Sequence, residues 1–353
     1  MNFDFIIKRV FALMLLCISF LVENVTAQDI HFSQFYNSPL LLNPAQTGLI
    51  CNYRAGLNYR SQWGSVGSPY KTFAGFFDVP VYFNKKRNTA LGLGLVIFND
   101  VAGDGKYGTL EIDPSIAFHM GLGADNPKRH KLSIGVQPSL RQHSLNITSL
   151  TFATQFDGWT IDPTKPTLEK FDDKLNQIYI DAHTGIQYSA APTDEVNYWI
   201  GTGVFHLLTP VESLLDNPTV LSKVPIRYNI NAGSRFILNE RMYVLAHAIY
   251  MRQAKAKELN FGAELDIKTA APKVDVPDFT FFFGGYYRWK DAFQVLVGGE
   301  LQNLRVALAY DVNVSSLHTA SNLRGGYELC MIYKAPCRII PYNYKYQYTC
   351  PRF

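Results

Sequence analysis

What the chain lacks narrows it first. Only one stretch is continuously apolar, residues 10–22 broken by Ser19, and it is too short to cross a bilayer comfortably as a helix. That argues against a helical-bundle membrane protein. Charged residues are only 18% of the chain, and the net charge of +4 is spread along it. With no basic patch there is no reason to expect nucleic acid as a partner. No low-complexity tract or proline-rich linker divides the sequence, so one domain is expected. No zinc-protease helix or nucleophile elbow appears, and the eight histidines are scattered. The pairs Gly92/Gly94 and Gly201/Gly203 have no helix behind them, so neither reads as a phosphate loop. No cofactor, metal or catalytic residue is expected, although an outer-membrane phospholipase remains a third, enzymatic alternative.

The apolar run has the context of an export signal. Lys8 and Arg9 precede it, and the small-residue site Val25-Thr26-Ala27 follows. Residues 1–27 therefore read as a cleaved signal peptide. Cys17 lies inside the run, but Met14-Leu15-Leu16 lacks the small residue a lipoprotein site needs. Cleavage after Ala27 leaves a mature chain that begins at Gln28.

What is plentiful points to strands. The sequence holds 24 Phe, 21 Tyr and 25 Gly. Side chains of a strand alternate between its faces. In 51–63, Tyr53, Ala55, Leu57 and Tyr59 share one face, and Arg54, Gly56, Asn58 and Arg60 the other. The same division recurs in 130–141, 225–235, 257–267 and 304–314. Weaker alternation marks 70–82, 89–98, 107–119, 177–189, 197–208, 241–252, 279–289, 292–300 and 322–333. That makes about fourteen strands. A soluble β-sandwich also alternates, but its polar face would be solvent. Here that face carries Gly, Ser, Asn, Gln and Arg with few Lys. The expectation is all-β: a transmembrane antiparallel barrel over 51–333, multi-pass in the outer membrane. Lipid gives backbone groups no partners, so such strands must close on themselves.

An even strand number places both barrel ends at the periplasm. The polar face then lines the lumen. Its charged candidates are Arg54, Arg60, Glu111, Asp113, Arg141, Asp181, Arg227, Arg235, Glu264, Asp266, Glu300, Arg305, Asp311, Arg324 and Glu328. Mixed signs at this density would pair across the lumen and largely occlude it. The carboxylate pairs Glu111/Asp113 and Glu264/Asp266 read as charge-paired lumen residues rather than calcium ligands. Segment 28–50 has turn formers Asn43-Pro44 and Gly48, so it is not a regular strand. Phe32, Gln34, Phe35, Tyr36 and Asn37 suit a plug in the barrel or at its mouth. The longest non-strand link, 142–176, falls outside the cell, with 209–224 and 315–321. Its Phe152, Phe156 and Trp159 are either a partner contact or a lid over the mouth. The tail, 334–353, falls in the periplasm. Of the mature chain's Cys51, Cys330, Cys337 and Cys350, the two in the tail, Cys337 and Cys350, are the expected disulfide. The remaining two, Cys51 at the start of the first strand and Cys330 in the last, adjoin when the barrel closes and are a possible second pair.

Several segments resemble one family. The start Asp29-Ile30-His31-Phe32-Ser33-Gln34-Phe35-Tyr36-Asn37-Ser38-Pro39, then Asn43-Pro44-Ala45-Gln46-Thr47-Gly48, is similar to the opening of PorP/SprF proteins. So are Asn58-Tyr59-Arg60-Ser61-Gln62-Trp63, Ser68-Pro69-Tyr70-Lys71-Thr72-Phe73, Phe98-Asn99-Asp100 with Gly103 and Gly108, and the end Cys350-Pro351-Arg352-Phe353. The resemblance implies an outer-membrane barrel of the type IX secretion and gliding-motility apparatus of Bacteroidota. It implies type IX components, a large secreted adhesin and a periplasmic peptidoglycan-binding protein as partners, beside outer-membrane lipid. It assigns no site residues. The competing expectation is a channel for small or hydrophobic molecules.

Overall fold

A computed structural model describes residues 29–65, 67–84, 88–122, 129–162, 164–167, 174–213, 222–269, 279–315 and 318–336. The signal peptide 1–27, the tail beyond 336 and the Cys337/Cys350 pair lie outside them.

Among the described residues sixteen strands follow one another: β1 (Arg54–Gln62), β2 (Tyr70–Asn84), β3 (Thr89–Ala102), β4 (Tyr107–Leu122), β5 (His130–Asn146), β6 (Lys174–Ala190), β7 (Val196–Phe205), β8 (Val211–Glu212), β9 (Ser222–Lys223), β10 (Arg227–Ile237), β11 (Met242–Gln253), β12 (Ala256–Lys268), β13 (Phe279–Arg288), β14 (Ala292–Leu301), β15 (Leu304–Asn313) and β16 (Arg324–Lys334). Fourteen form one closed antiparallel barrel in which each strand pairs with the next and β1 closes on β16. β8 and β9 make a separate two-stranded hairpin in the β7–β10 link. Closure runs from Arg54↔Lys334 to Gln62↔Gly326.

The sequence pattern sets which way the side chains face. On β1 the even-numbered Arg54, Asn58 and Arg60 are buried and Leu57 is exposed. On β15 Arg305, Asp311 and Asn313 are buried, while Leu304, Val306, Leu308 and Tyr310 face out. Outward aromatics gather at two heights. Tyr53, Phe77, Tyr82 and Tyr333 lie near the rim where the barrel begins and ends; Trp63, Tyr70, Trp289, Tyr310 and Tyr327 lie toward the far rim. Such girdles bracket the lipid-facing band.

Lengths depart from the alternation in one region. The link expected at 142–176 shrinks to 147–173, because β5 and β6 continue to Asn146 and back from Lys174. These two strands have 17 residues each, against 10 in β7. β7 ends at Phe205, short of the expected 208, where His206 takes a left-handed φ of 61° and turns the chain away.

The inward face is not purely polar. Phe282, Tyr286, Ile249, Met251, Leu296 and Ile332 point into the barrel and are buried against Phe35, Tyr36 and Leu42. The barrel therefore has a core, and its centre is the N-terminal segment. Fully burying such a side chain contributes about 1.5–3 kcal/mol.

Candidate functional site: the plugged lumen

Segment 29–49 threads the lumen end to end. Asp29 lies toward the far rim, where its backbone N–H donates to Oε1 of Gln253, the last residue of β11 (2.8 Å). Gly48 lies at the near rim, where its N–H donates to Asp78 (2.8 Å), which forms a bidentate pair with Arg54 at the start of β1 (2.9 and 3.0 Å). Between them the segment has only single turns, Phe35–Asn37, Pro39–Leu42 and Pro44–Gln46. Short turns leave backbone groups without helical partners, so the wall must supply them. Asn229 donates to Leu42 O (3.2 Å) and His119 Nε2 meets Thr47 O (2.9 Å), while the Asn43 side chain donates in turn to the wall carbonyl of Ile186 (3.1 Å).

Glycines make the room. A Cβ at Gly135 would lie 2.3 Å from Pro44 O, and one at Gly92 2.2 Å from Thr47 O. Gly94, Gly201 and Gly203 also face this part of the segment. The two glycine pairs seen in the sequence are thus the floor on which the plug rests.

The charged lumen residues fall into separate clusters, each tied to the plug. Toward the far rim Asp29 accepts from Arg141 and lies 3.1 Å from Arg227. His206 bridges the carboxylates of Asp29 and Asp181 (2.5 and 2.7 Å), and Arg141 also pairs with Glu111 (3.2 Å). In the second cluster Arg60 and Arg288 share Asp311 (both 3.0 Å). Ser33 donates its hydroxyl to Asp311, and the N–H groups of Ser33 and Gln34 donate to the two oxygens of Glu328 (2.7 and 3.0 Å). In the third, Arg305 holds Glu264 and Asp266 (both 2.8 Å), with Glu300 at 3.4 Å, and lies 3.5 Å over the Phe282 ring. Tyr36 donates to Glu264 (3.2 Å) and stacks on His247 at 4.1 Å.

Three candidates take other positions. Arg235 is half-buried and lies over the Tyr243 ring at 4.6 Å. Asp113 is buried with one oxygen unbonded. Arg324 is exposed, not luminal: the register passes from Asp311↔Gly326 to Val312↔Arg324, and the extra residue on β16 reverses which face Arg324 takes. Asp78, Asp29, His206 and Arg288 are luminal groups that the sequence expectation does not include. Asp78 was findable, since it lies directly across the ladder from Arg54. Asp29 and His206 sit outside the strands, where alternation carries no signal.

Glu111, Asp113 and His183, and Asp181, His183 and His206, come close enough to surround an ion. Their ring nitrogens are otherwise engaged. His183 Nδ1 accepts from the His206 N–H (3.1 Å), which puts a neutral ring's proton on Nε2, facing Glu111 (3.2 Å). Both nitrogens of His206 face carboxylates. As placed, these donors are engaged with one another in hydrogen bonds.

Between plug and wall, beside Phe98, His206 and Met251, lies a void of about 40 Å³, room for on the order of three waters. Over the far mouth the β8–β9 hairpin is held by Glu212, which meets Tyr107 (2.8 Å) and His143 (3.3 Å). Of the loop aromatics, Trp159 is 92% exposed and Phe156 is exposed, but Phe152 is half-buried.

A closed fourteen-strand barrel with a greasy belt, two aromatic girdles and a lumen filled by its own N-terminal segment is an outer-membrane barrel. Residues 24–333 match the family described as type IX secretion system membrane protein PorP/SprF. The chain belongs to that family, and it is an outer-membrane protein of the type IX secretion system. No curated protein matches it. Among solved structures it is similar to the Pseudomonas putida toluene transporter TodX (10% identity, 84% of this chain and 92% of that one, TM-score 0.48). It is also similar to a Pseudomonas aeruginosa FadL homologue (11% identity, 82% and 92%, TM-score 0.45) and to the KdgM porin (6% identity, 80% and 99%, TM-score 0.32). These likenesses say nothing about what this chain carries.

Proposed function

We propose that this chain is a non-enzymatic, non-conducting barrel of the type IX apparatus that supports export or surface attachment of a secreted partner such as a large adhesin. The observation that carries this reading is the plug. Segment 29–49 fills the lumen and is bonded to the wall at many points along its length, so the barrel is built as a scaffold and not as a pore. With both barrel ends at the periplasm, the far rim faces the outside. It presents Trp159 and Phe156 on a loop whose base is tied to the β3–β4 turn through Ser149 and Asp104 O (2.8 Å). β16 ends at Lys334 on the near rim, which faces the periplasm in this reading, and the tail expected beyond it is where a peptidoglycan-binding component of the apparatus would bind.

The test is deletion of the gene followed by surface proteomics. Loss of one or more large secreted proteins from the surface, with their mRNA unchanged, supports the reading. An unchanged surface proteome refutes it. Purified barrel in planar bilayers should show no large, steady conductance; if it does, the channel alternative replaces this one.

A further inference from the structure

We propose that the outward half of β6 is an open sheet edge that receives an extended strand of the secreted partner. The inference rests on the secretion reading above and specifies how the grip is made.

β6 pairs with β5 along its whole length, from His130↔Ala190 to Asn146↔Lys174. On its other side it pairs with β7 only from Thr184↔Val204 to Ala190↔Tyr198. After Phe205 the β7 chain turns off, and its last backbone contact with β6 is Leu207 N–H to Ala182 O (3.0 Å). The segment that follows is drawn over the mouth by the Gln177 side chain, which donates to Val211 O (3.0 Å) and accepts from Ser213 N–H (2.6 Å).

Backbone groups two residues apart in a strand point the same way. Ala182 O points toward β7, so the N–H and C=O of Ile180, Ile178 and Asn176 point there too. No hydrogen bond among the described residues reaches these six groups from that side. Ile180 and Ile178 are also 67% and 61% exposed, because the β7 neighbours that cover outward side chains elsewhere are missing. Unpaired edges are templates for strand addition, and natural sheets usually blunt them with charge, proline or a bulge. Positions 175–181 carry none of these except Asp181, which is turned inward onto His206.

The edge fits a strand of about five or six residues, which would span roughly 17–20 Å. Its side chains facing Ile178 and Ile180 would be apolar, with main-chain hydrogen bonds supplying affinity and the alternating side chains supplying specificity. A second copy of the barrel does not fit. Two barrels related by a two-fold axis along the membrane normal bring their facing strands together at twice the strand tilt. With tilts of about 35–45°, the two β6 edges would cross at roughly 70–90° and could not form a ladder. The occupant the inference assigns is an extended segment of the secreted partner.

Proline at an even position tests this cleanly. Ile178→Pro removes an N–H that faces the open edge and leaves the β5 ladder intact. The probe is the secreted protein whose surface level falls when the gene is deleted. With the variant barrel present at wild-type level in the outer membrane, the surface amount of that protein should drop at least tenfold, and Ile178→Val should keep it. No drop overturns the proposal. Should the proline variant fail to assemble, hydrogen–deuterium exchange of the unaltered barrel decides. The amides of Asn176, Ile178 and Ile180 should exchange fast alone and at least tenfold more slowly with the secreted protein bound, while those of Gln177, Tyr179 and Asp181, bonded to β5, stay slow in both; equal exchange of the three edge amides overturns the proposal. A deletion strain that retains its surface proteins sinks the secretion reading itself. A deletion that removes them while Ile178→Pro changes nothing sinks only the edge.

Discussion

Replacing Gly135 with valine should unseat the plug without destroying the barrel. The Gly135 Cα faces the lumen, and any Cβ there would sit 2.3 Å from Pro44 O and 2.6 Å from Ala45 N. Ordinary contacts begin about an ångström further out, and the obstacle is backbone, which no rotamer change can clear. Segment 43–48 must therefore lift. It would strain or break the bonds from Gln46 to Gln187 (2.8 Å), Thr47 to Ser115 (2.6 Å), His119 to Thr47 O (2.9 Å) and Asn43 to Asn231 (3.2 Å). At about 0.5–1.5 kcal/mol net each, their loss amounts to roughly 2–6 kcal/mol. The β5 ladder bonds do not involve the added methyls, so the variant should still migrate as a heat-modifiable barrel in detergent. In planar bilayers it should open frequently where the unaltered protein is silent, and amides of 40–48 should exchange faster. A folded Gly135→Val barrel with neither change would refute the claim that the N-terminal segment seals the lumen.

Further predictions concern the charges, the cysteines and the loop. Arg305→Met removes the cation shared by Glu264 and Asp266. Breaking such a buried pair costs about 3–5 kcal/mol, read as a lower urea midpoint in detergent, and a midpoint equal to that of the unaltered barrel would mean the cluster contributes nothing. Cys51 is already in a disulfide and Cys330 is buried and free. If a non-reducing peptide map of the cleaved protein joins Cys51 to Cys337 or Cys350, the other tail cysteine should be recovered as a thiol. Recovery of a Cys337–Cys350 peptide would bear out the pairing expected from the sequence. Backbone N–H groups of Thr160 and Trp159 hold the Asp157 carboxyl below the ordinary aspartate value of 3.8. A depressed value means the turn gains stability above that pH and loses it as pH falls through the lowered value. Trp159 fluorescence should therefore be flat at neutral pH and change only in acid, and Asp157→Ala should abolish that change.

Much of the barrel was legible in advance because a strand has only two faces. Alternation on β1, β5, β10, β12 and β15 located the wall and assigned its inward side chains, and the even strand number placed both barrel ends together. Alternation failed where the ladder itself is irregular. The bulge opposite Asp311 turned Arg324 outward, and the left-handed His206 ended β7 early. It also failed on β11 and β13, where Ile249, Met251 and Phe282 point inward although their outward neighbours are equally apolar. Their inward environment is the plug, which a strand pattern does not record.

Local sequence thus determined the strands, their facing and their number, since each depends on residues one or two positions apart. Which groups meet across the lumen depended on closure. Asp29 reaches Arg141, Arg227 and His206, and Pro44 reaches Gly135, only once β1 has joined β16 around the segment that precedes it. Those partners lie 91 to 198 positions apart in the chain. No local pattern encodes contacts at such separations; they arise from the barrel's circumference and the path of the plug.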